Sequence, residues 1–163
     1  MFNISEKDST VRRIAEFYGF HSGLLENKIQ LTREDYHEAE SLLKDWLSPP
    51  HEFYLIEIHK RVIGFIHVCF RGKEIAWIED IYVDEDMRSQ GIATSAIGLC
   101  ETIMKEQRGA TALCMDVVTR NTVALQLYHK LGYNNLSMVT VRKEFYENKR
   151  NIKETILGLD YNI

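Results

Sequence analysis

The two prolines of this chain stand side by side at Pro49-Pro50, and the hydrophobic period changes across them. A proline pushes the residue before it out of the helical region, so the pair ends any helix that reaches it. Upstream, Tyr36, Ala39, Leu42, Leu43 and Trp46 recur at helical spacing behind Thr32-Arg33-Glu34-Asp35, which offers a capping hydroxyl and early acids. That pattern predicts a helix from Thr32 to Leu47. A shorter helix is predicted over Ser9–Phe20, with Ile14, Phe17 and Tyr18 on its apolar face, and Phe2 and Ile4 suggest a short leading strand. Downstream the runs are β-branched and aromatic: Phe53–Ile58, Val62–Phe70 and Ile75–Val83, parted by the turns His59-Lys60-Arg61 and Arg71-Gly72-Lys73. Strands joined by such tight turns form, most simply, an antiparallel meander.

Beyond the meander, a polar stretch Asp84–Gln90 leads into a helix over Gly91–Gln107, with Ile92, Ala96, Leu99, Cys100 and Ile103 as its stripe. Thr111–Val118 reads as a strand, Asn121–Leu131 as a helix, Leu136–Phe145 as a strand, Glu147–Asn151 as a turn and Thr155–Ile163 as a last strand. The fold class is α/β (α+β): a mixed, mostly antiparallel sheet with one β-α-β crossover, flanked by helices. With 163 residues and no linker or repeat, the chain is expected to be one domain over 1–163. The last segment is expected to add to the sheet, within the chain or across a homodimer, because an unpaired edge is costly.

Charge and cysteine usage exclude several classes. Lys and Arg total 20 against 24 Asp and Glu, a net charge of −4, which argues against a general nucleic-acid binder. No apolar run approaches the roughly 20 residues of a membrane span. The first residues show no basic stretch followed by an apolar one, so a cytoplasmic protein without a signal peptide is expected. Cys69, Cys100 and Cys114 lie far apart in apolar contexts with no C-x-x-C pair. They read as small buried hydrophobes in a reducing cytoplasm, and no metal is expected.

Chemistry concentrates at two strand–helix junctions. In Ile75–Val83, strict alternation puts Trp77, Glu79, Ile81 and Val83 on one face and Asp80 and Tyr82 on the other. Both faces are mostly apolar, so the strand is central. Burying the adjacent acids Glu79 and Asp80 is costly unless they are paired or their pKa rises. A catalytic carboxylate and a structural ion pair both satisfy that condition. Arg88-Ser89-Gln90-Gly91-Ile92-Ala93 then opens a helix whose first N–H groups and dipole form an anion site. It is neither a P-loop, lacking Gly-Lys-Ser/Thr, nor a Rossmann fingerprint. A helix that merely begins at glycine looks the same. At the second junction Asn121 is a good N-cap and Gly132 a good residue to follow a helix. Tyr128 lies on the packed face, either a core tyrosine or, with a pKa of ~10, an acid for a leaving thiolate.

Together these junctions make residues 77–133 resemble the acetyl-CoA core of the Gcn5-related N-acetyltransferase (GNAT) superfamily. Arg88-Ser89-Gln90-Gly91-Ile92-Ala93 is similar to that family's (Gln/Arg)-x-x-Gly-x-(Gly/Ala) loop. Asn121-x-x-Ala124-x-x-x-Tyr128-x-x-x-Gly132-Tyr133 is similar to its second signature. The resemblance implies that Ile75–Val83 splays from the parallel strand Thr111–Val118, and that pantetheine lies in the gap, paired with backbone groups of Ile81 and Val83. It implies that the amides of Arg88, Ser89, Gln90, Gly91, Ile92 and Ala93, with the Thr94 hydroxyl nearby, hold the pyrophosphate. Asn121 would bond the pantetheine, and Lys130 would reach a CoA phosphate.

The chemistry so implied is transfer of acetyl from acetyl-CoA to the primary amine of a small molecule. An ammonium must lose a proton before it attacks, an oxyanion forms, and a thiolate leaves, so the site needs a base, an oxyanion donor and an acid. Glu79 is the expected base, through a water; a backbone N–H between Ile81 and Val83 the oxyanion donor; Tyr128 the acid. Asp80 is the second choice of base, since a β-bulge would reverse the face assignment. Asp116 and His129 are lesser candidates. The acceptor pocket is expected from the two N-terminal helices and their link His21–Leu31, where Glu34, Asp35 and Glu38 would attract a cation or simply favour a helix N-terminus. Competing readings are a protein N-terminal or lysine acetyltransferase and a non-catalytic acetyl-CoA-binding module.

Overall fold

The helical spacing upstream of the prolines forms α1 (Ile4–Ser22) and α2 (Arg33–Trp46) in a computed structural model that describes residues 4–22, 31–119, 121–141, 143, 145, 153–156 and 158–162. These residues fall into two compact units, Met1–Asp116 and Val117–Ile163. In the first unit Ile4 opens a helix where a strand was expected; Phe2 lies outside the described residues. Glu6 sits in the first turn, where a carboxylate complements the helix dipole, and the apolar stripe Val11, Ile14, Ala15 and Phe17 is buried. A capping box starts α2: Asp35 N–H donates to the Thr32 hydroxyl at 3.3 Å, and Thr32 N–H donates to the Asp35 carboxylate at 2.6 Å. The Thr32 donors hold the Asp35 carboxyl below its ordinary pKa.

The meander forms as β1 (His51–Ile58), β2 (Arg61–Phe70) and β3 (Ile75–Val83), antiparallel in that order. His59 and Lys60, both at positive φ, make the two-residue turn between β1 and β2. A side chain at Gly64 would place its Cβ 2.2 Å from the Tyr82 carbonyl oxygen, so the close approach of β2 to β3 needs glycine there. After a short 3₁₀ turn, α3 (Ile92–Thr102) runs into a π-helical turn at Ile103–Gln107 and returns the chain to β4 (Ala112–Met115), parallel to β3. The sheet order is β1-β2-β3-β4. Its core gathers α1 and α2 on Phe65 and Tyr82, with Leu43, Trp46 and Phe17. Arg13 crosses from α1 to the end of β3, donating from Nε and Nη2 to the Asp84 carboxylate at 2.7 and 2.8 Å.

In the second unit, α4 (Thr122–Lys130) is capped at both ends as its sequence foretells. Ala124 N–H donates to Asn121 Oδ1 at 3.2 Å. At the other end Gly132 (φ 95°) and Tyr133 donate to the carbonyls of His129 and Tyr128, a Schellman closure. Two expected strands differ. Residues 133–141 take no regular structure, and Leu136, Met138, Val139 and Val141 are exposed: alternation alone does not make a strand without a ladder partner. The C-terminal run is a hairpin of β5 (Lys153–Ile156) and β6 (Leu159–Asn162), because Gly158 at φ 79° turns the chain back. The turn placed at 147–151 lies outside the described residues. Among the described residues no helix is long and apolar enough to cross a membrane.

Candidate active site

The β2–β3 ladder slips by one residue. His67 pairs with Asp80 and Val68 with Ile78, so Glu79 has no opposite number and forms a bulge. Cross-strand partners share a face, which sets Asp80 beside His67 and Trp77 beside Cys69. His67 and Cys69, two apart on one strand, share a face as well. Trp77, Glu79 and Asp80 therefore lie together, where strict alternation would send Asp80 to the far side. The bulge brings both acids to the face that α1 and α2 cover.

The two carboxylates are held differently. Asp80 Oδ2 is 2.8 Å from His67 Nδ1, and His67 Nε2 is 2.9 Å from His51 Nδ1. The Trp46 ring stacks on the buried His67 at 4.0 Å between centroids. The Tyr18 hydroxyl points at Asp80 Oδ1 from 3.5 Å. Burial, and then the charges of Asp80, Glu79 and Glu38, raise the Tyr18 pKa, so its hydroxyl keeps its proton. Glu79 instead takes Arg71 on both oxygens, from Nε at 3.0 Å and Nη2 at 2.7 Å. Arg71 Nη1 reaches Asp116 at 3.2 Å, and the guanidinium lies 4.0 Å from the Trp77 ring centroid.

That cluster sits at the end of a parallel pair. The β3–β4 register runs from Ile75 opposite Ala112 to Ile78 opposite Met115, and no further among the described residues. Glu79 and Asp116 follow directly, bridged by Arg71. Ile81 and Val83 lie beyond the paired segment; the Val83 carbonyl accepts from Arg88 Nε at 3.0 Å, a contact absent from the expected pantetheine pairing.

The loop into α3 turns through two left-handed residues. Ser89 (φ 61°) and Gly91 (φ 76°) are left-handed, and Gly91 is the N-cap residue. Ser95 N–H to the Gly91 carbonyl, at 3.0 Å, closes the first turn, so the N–H groups of Ile92, Ala93 and Thr94 precede it. A Cβ on Gly91 would meet nothing within 4 Å, which leaves open space against the loop. One carry-over is weakened: Arg88 N–H is turned inward, to the Glu85 carbonyl at 3.3 Å. Gln90 Nε2 likewise donates inward, to the Asp86 carbonyl.

In the second unit, Tyr128 is half-buried, edge-on to Tyr133 at 6.3 Å, and burial pushes its pKa above the ordinary value. Asn121 Oδ1 serves the cap of α4, and His129 and Lys130 are exposed.

The pattern of the acetyltransferase (GNAT) family matches residues 17–133, well over half of the chain. This chain belongs to the acetyltransferase (GNAT) family. A curated relative, the uncharacterized N-acetyltransferase MJ1207 of Methanocaldococcus jannaschii, is 29% identical over 103 residues. The match takes in 58% of this chain and 45% of that protein, so the chain spans under half of the relative's length. Among solved GNAT-like structures, a possible acetyltransferase from Clostridium difficile 630 superposes with a TM-score of 0.64 at 16% identity, over 85% of this chain and 93% of the other. A GNAT acetyltransferase from Elizabethkingia anophelis with acetyl-CoA bound gives 0.51 at 22% identity, over 76% and 77%. These likenesses show the GNAT fold.

Sequence reasoning passed over His51, His67, Arg71, Trp46 and Tyr18 as site residues. A trace was present: His67 interrupts the otherwise apolar run Ile63–Phe70. Residues 23–30 of the link assigned to the acceptor pocket lie outside the described residues; Tyr18 of α1 meets Asp80 and Trp46 of α2 stacks on His67. Among the described residues no group of three or more His, Cys, Asp or Glu is arranged to hold a metal ion.

Proposed function

We propose that this chain transfers the acetyl group of acetyl-CoA to the primary amine of a small molecule by direct attack in a ternary complex. The observation that carries the reading is the bulge at Glu79, which gathers two carboxylates beside the end of the β3–β4 pairing in a GNAT-family chain. The left-handed Gly91, with open space beside it and the first-turn N–H groups of α3 following, suits a pyrophosphate. The co-substrate brings the thioester; the acceptor nitrogen bonds to its carbonyl carbon as the carbon–sulfur bond breaks.

In this reading Glu79 takes the ammonium proton, directly or through a water. Both its oxygens rest on Arg71, so Arg71 must swing toward Asp116, which Nη1 already touches. A backbone N–H between Ile81 and Val83 steadies the oxyanion. Tyr128, kept protonated by its raised pKa, gives its proton to the thiolate. Asn121 and Lys130 contact the co-substrate's arm and phosphate. The whole chain acts as one transfer domain in a reducing cytoplasm, where Cys69, Cys100 and Cys114 stay thiols.

Free-thiol release from acetyl-CoA, measured across polyamines, aminoglycoside-like amines, amino-acid derivatives and peptide N-termini, tests this reading. Turnover with a small amine is expected, and Glu79→Gln should lower kcat by about 10²–10⁴-fold with acetyl-CoA affinity kept. Turnover confined to peptides, or none at all, counts against it.

A further inference from the structure

We infer that Asp80 seats the reactive ammonium of the acceptor, and that the His67–His51 pair behind it leaves the seat anionic at neutral pH and cancels its charge in acid. The inference rests on the amine-acetylation reading above. Of the two bulge carboxylates, Glu79 has both oxygens on Arg71, whereas Asp80 commits only Oδ2 firmly, to His67 at 2.8 Å. Its Oδ1 has the Tyr18 hydroxyl at 3.5 Å, a distance that leaves the oxygen able to accept more. An ammonium brings three N–H donors. Asp80 Oδ1 and the Tyr18 oxygen offer two acceptors, and Glu79, on the same face, offers the third and then takes the proton.

The hydrogen-bond chain dictates its own proton positions. A carboxylate only accepts, so His67 Nδ1 carries the proton in the first bond. A neutral His67 then has a bare Nε2, and the second bond, 2.9 Å long, uses the Nδ1 proton of His51. The chain ends at His51 Nε2, and His51 lines a cavity of about 430 Å³ with Pro49, Pro50 and Arg108. A proton taken up at His51 Nε2 lets His51 pass its Nδ1 proton to His67 Nε2. His51 is neutral again, and His67 becomes an imidazolium against Asp80. No bond other than N–H changes.

The seat then carries no net charge. A cation has a partner while the histidine pair is neutral and loses it once the pair takes up a proton. The groups facing His67 fit this assignment. They are Asp80 and the Arg71-paired Glu79 from β3, His51 from β1, Cys69 along β2 and Tyr18 from α1, on which Glu38 of α2 acts. The group that α2 stacks on the ring is the uncharged Trp46.

The test uses n-butylammonium chloride as the probe on the full chain, followed through the imidazole nitrogen resonances of His67 and His51. Affinity in the wild type should fall progressively as pH is lowered from ~8 to ~5.5. Asp80→Asn should abolish probe binding at both. His67→Asn keeps an N–H donor but cannot titrate, so binding should persist and its pH dependence vanish. His51→Gln, at the outer end of the chain, should weaken the pH dependence in the same sense, and serves should His67→Asn fail to fold. Wild-type probe affinity in Asp80→Asn, or unchanged pH dependence in both histidine variants, overturns the seat. Turnover is scored apart: amine acetylation with a wild-type acceptor KM in Asp80→Asn sinks the seat and keeps the transfer reading. Probe binding that needs Asp80 and follows pH, without turnover on any amine, keeps the seat and sinks the transfer reading.

Discussion

Arg71 lies bidentate on Glu79, with Nε 3.0 Å from Oε1 and Nη2 2.7 Å from Oε2. A carboxylate so occupied is a poor proton acceptor until the guanidinium leaves, so Arg71 is a latch on the proposed base. The latch has a second resting place: Nη1 is 3.2 Å from Asp116, just past the end of β4. Arg71→Gln should therefore raise kcat/KM for the amine while acetyl-CoA affinity stays the same. Arg71 is 41% exposed and Asp116 67%, so the melting free energy should move by no more than ~1 kcal/mol. Steady-state kinetics and a thermal melt on one preparation check both parts; a fall in kcat/KM with an unchanged melt would make Arg71 an acceptor ligand instead.

Gly91 separates backbone strain from charge. At φ 76° any L-residue there is strained, by ~1 kcal/mol. Gly91→Ala should cost that much stability and leave a measurable acetyl-CoA affinity. Gly91→Glu adds a negative charge beside the first-turn N–H groups of α3 and should lose far more affinity than the alanine variant. Calorimetric titration with acetyl-CoA distinguishes them, and equal affinities would remove the loop from the binding site.

For Tyr128 the sign of the pH effect follows from burial. Its pKa is raised in the folded chain, so the neutral phenol is the favoured form. The stabilisation is complete below the unfolded value of ~10 and is lost as pH rises through the folded value. The acid is thus available across the neutral range. Tyr128→Phe should lower kcat by about 10²–10⁴-fold, evenly between pH ~6 and ~9, without moving the melt at neutral pH. An unchanged kcat would assign thiolate protonation to water.

Arg13 and Asp84 form an ion pair with side chains only 5% and 8% exposed. Arg13 Nη2 also donates to the Val62 carbonyl at 2.6 Å, which ties α1 to the strand ends beside the site. Asp84→Ala leaves a buried guanidinium without its carboxylate and should cost about 3–5 kcal/mol in chemical denaturation. Replacing both residues with apolar ones should recover much of that loss.

Much of this architecture was legible because it is local. Ile75–Val83 is a strand to the residue, Thr32 caps α2 ahead of its early acids, and Asn121 and Gly132 close α4 as expected. Each depends on interactions within about one turn or one pleat, which a short window of residues contains. The misread segments lacked that closure. Ile4 has no strand partner and opens a helix, and Gly158 at φ 79° folds the last run into a hairpin.

The site divides in the same way. The paired acids, the glycine at the head of α3 and Tyr128 were visible as residue types at telling positions. Their geometry was not, because register is a contest between strands. The slip between His67 and Val68 puts Glu79 and Asp80 on one face, and no residue of β3 alone dictates it. Likewise the chain Asp80–His67–His51 needs three strands in one register, with Trp46 from α2 laid over it. The sequence by itself determined the strand, its two carboxylates and the helix caps, since these depend on neighbours along the chain. Only the tertiary structure decided which carboxylate meets arginine and which meets histidine, since strand pairing joins residues far apart in sequence and a one-residue slip resets every face beyond it.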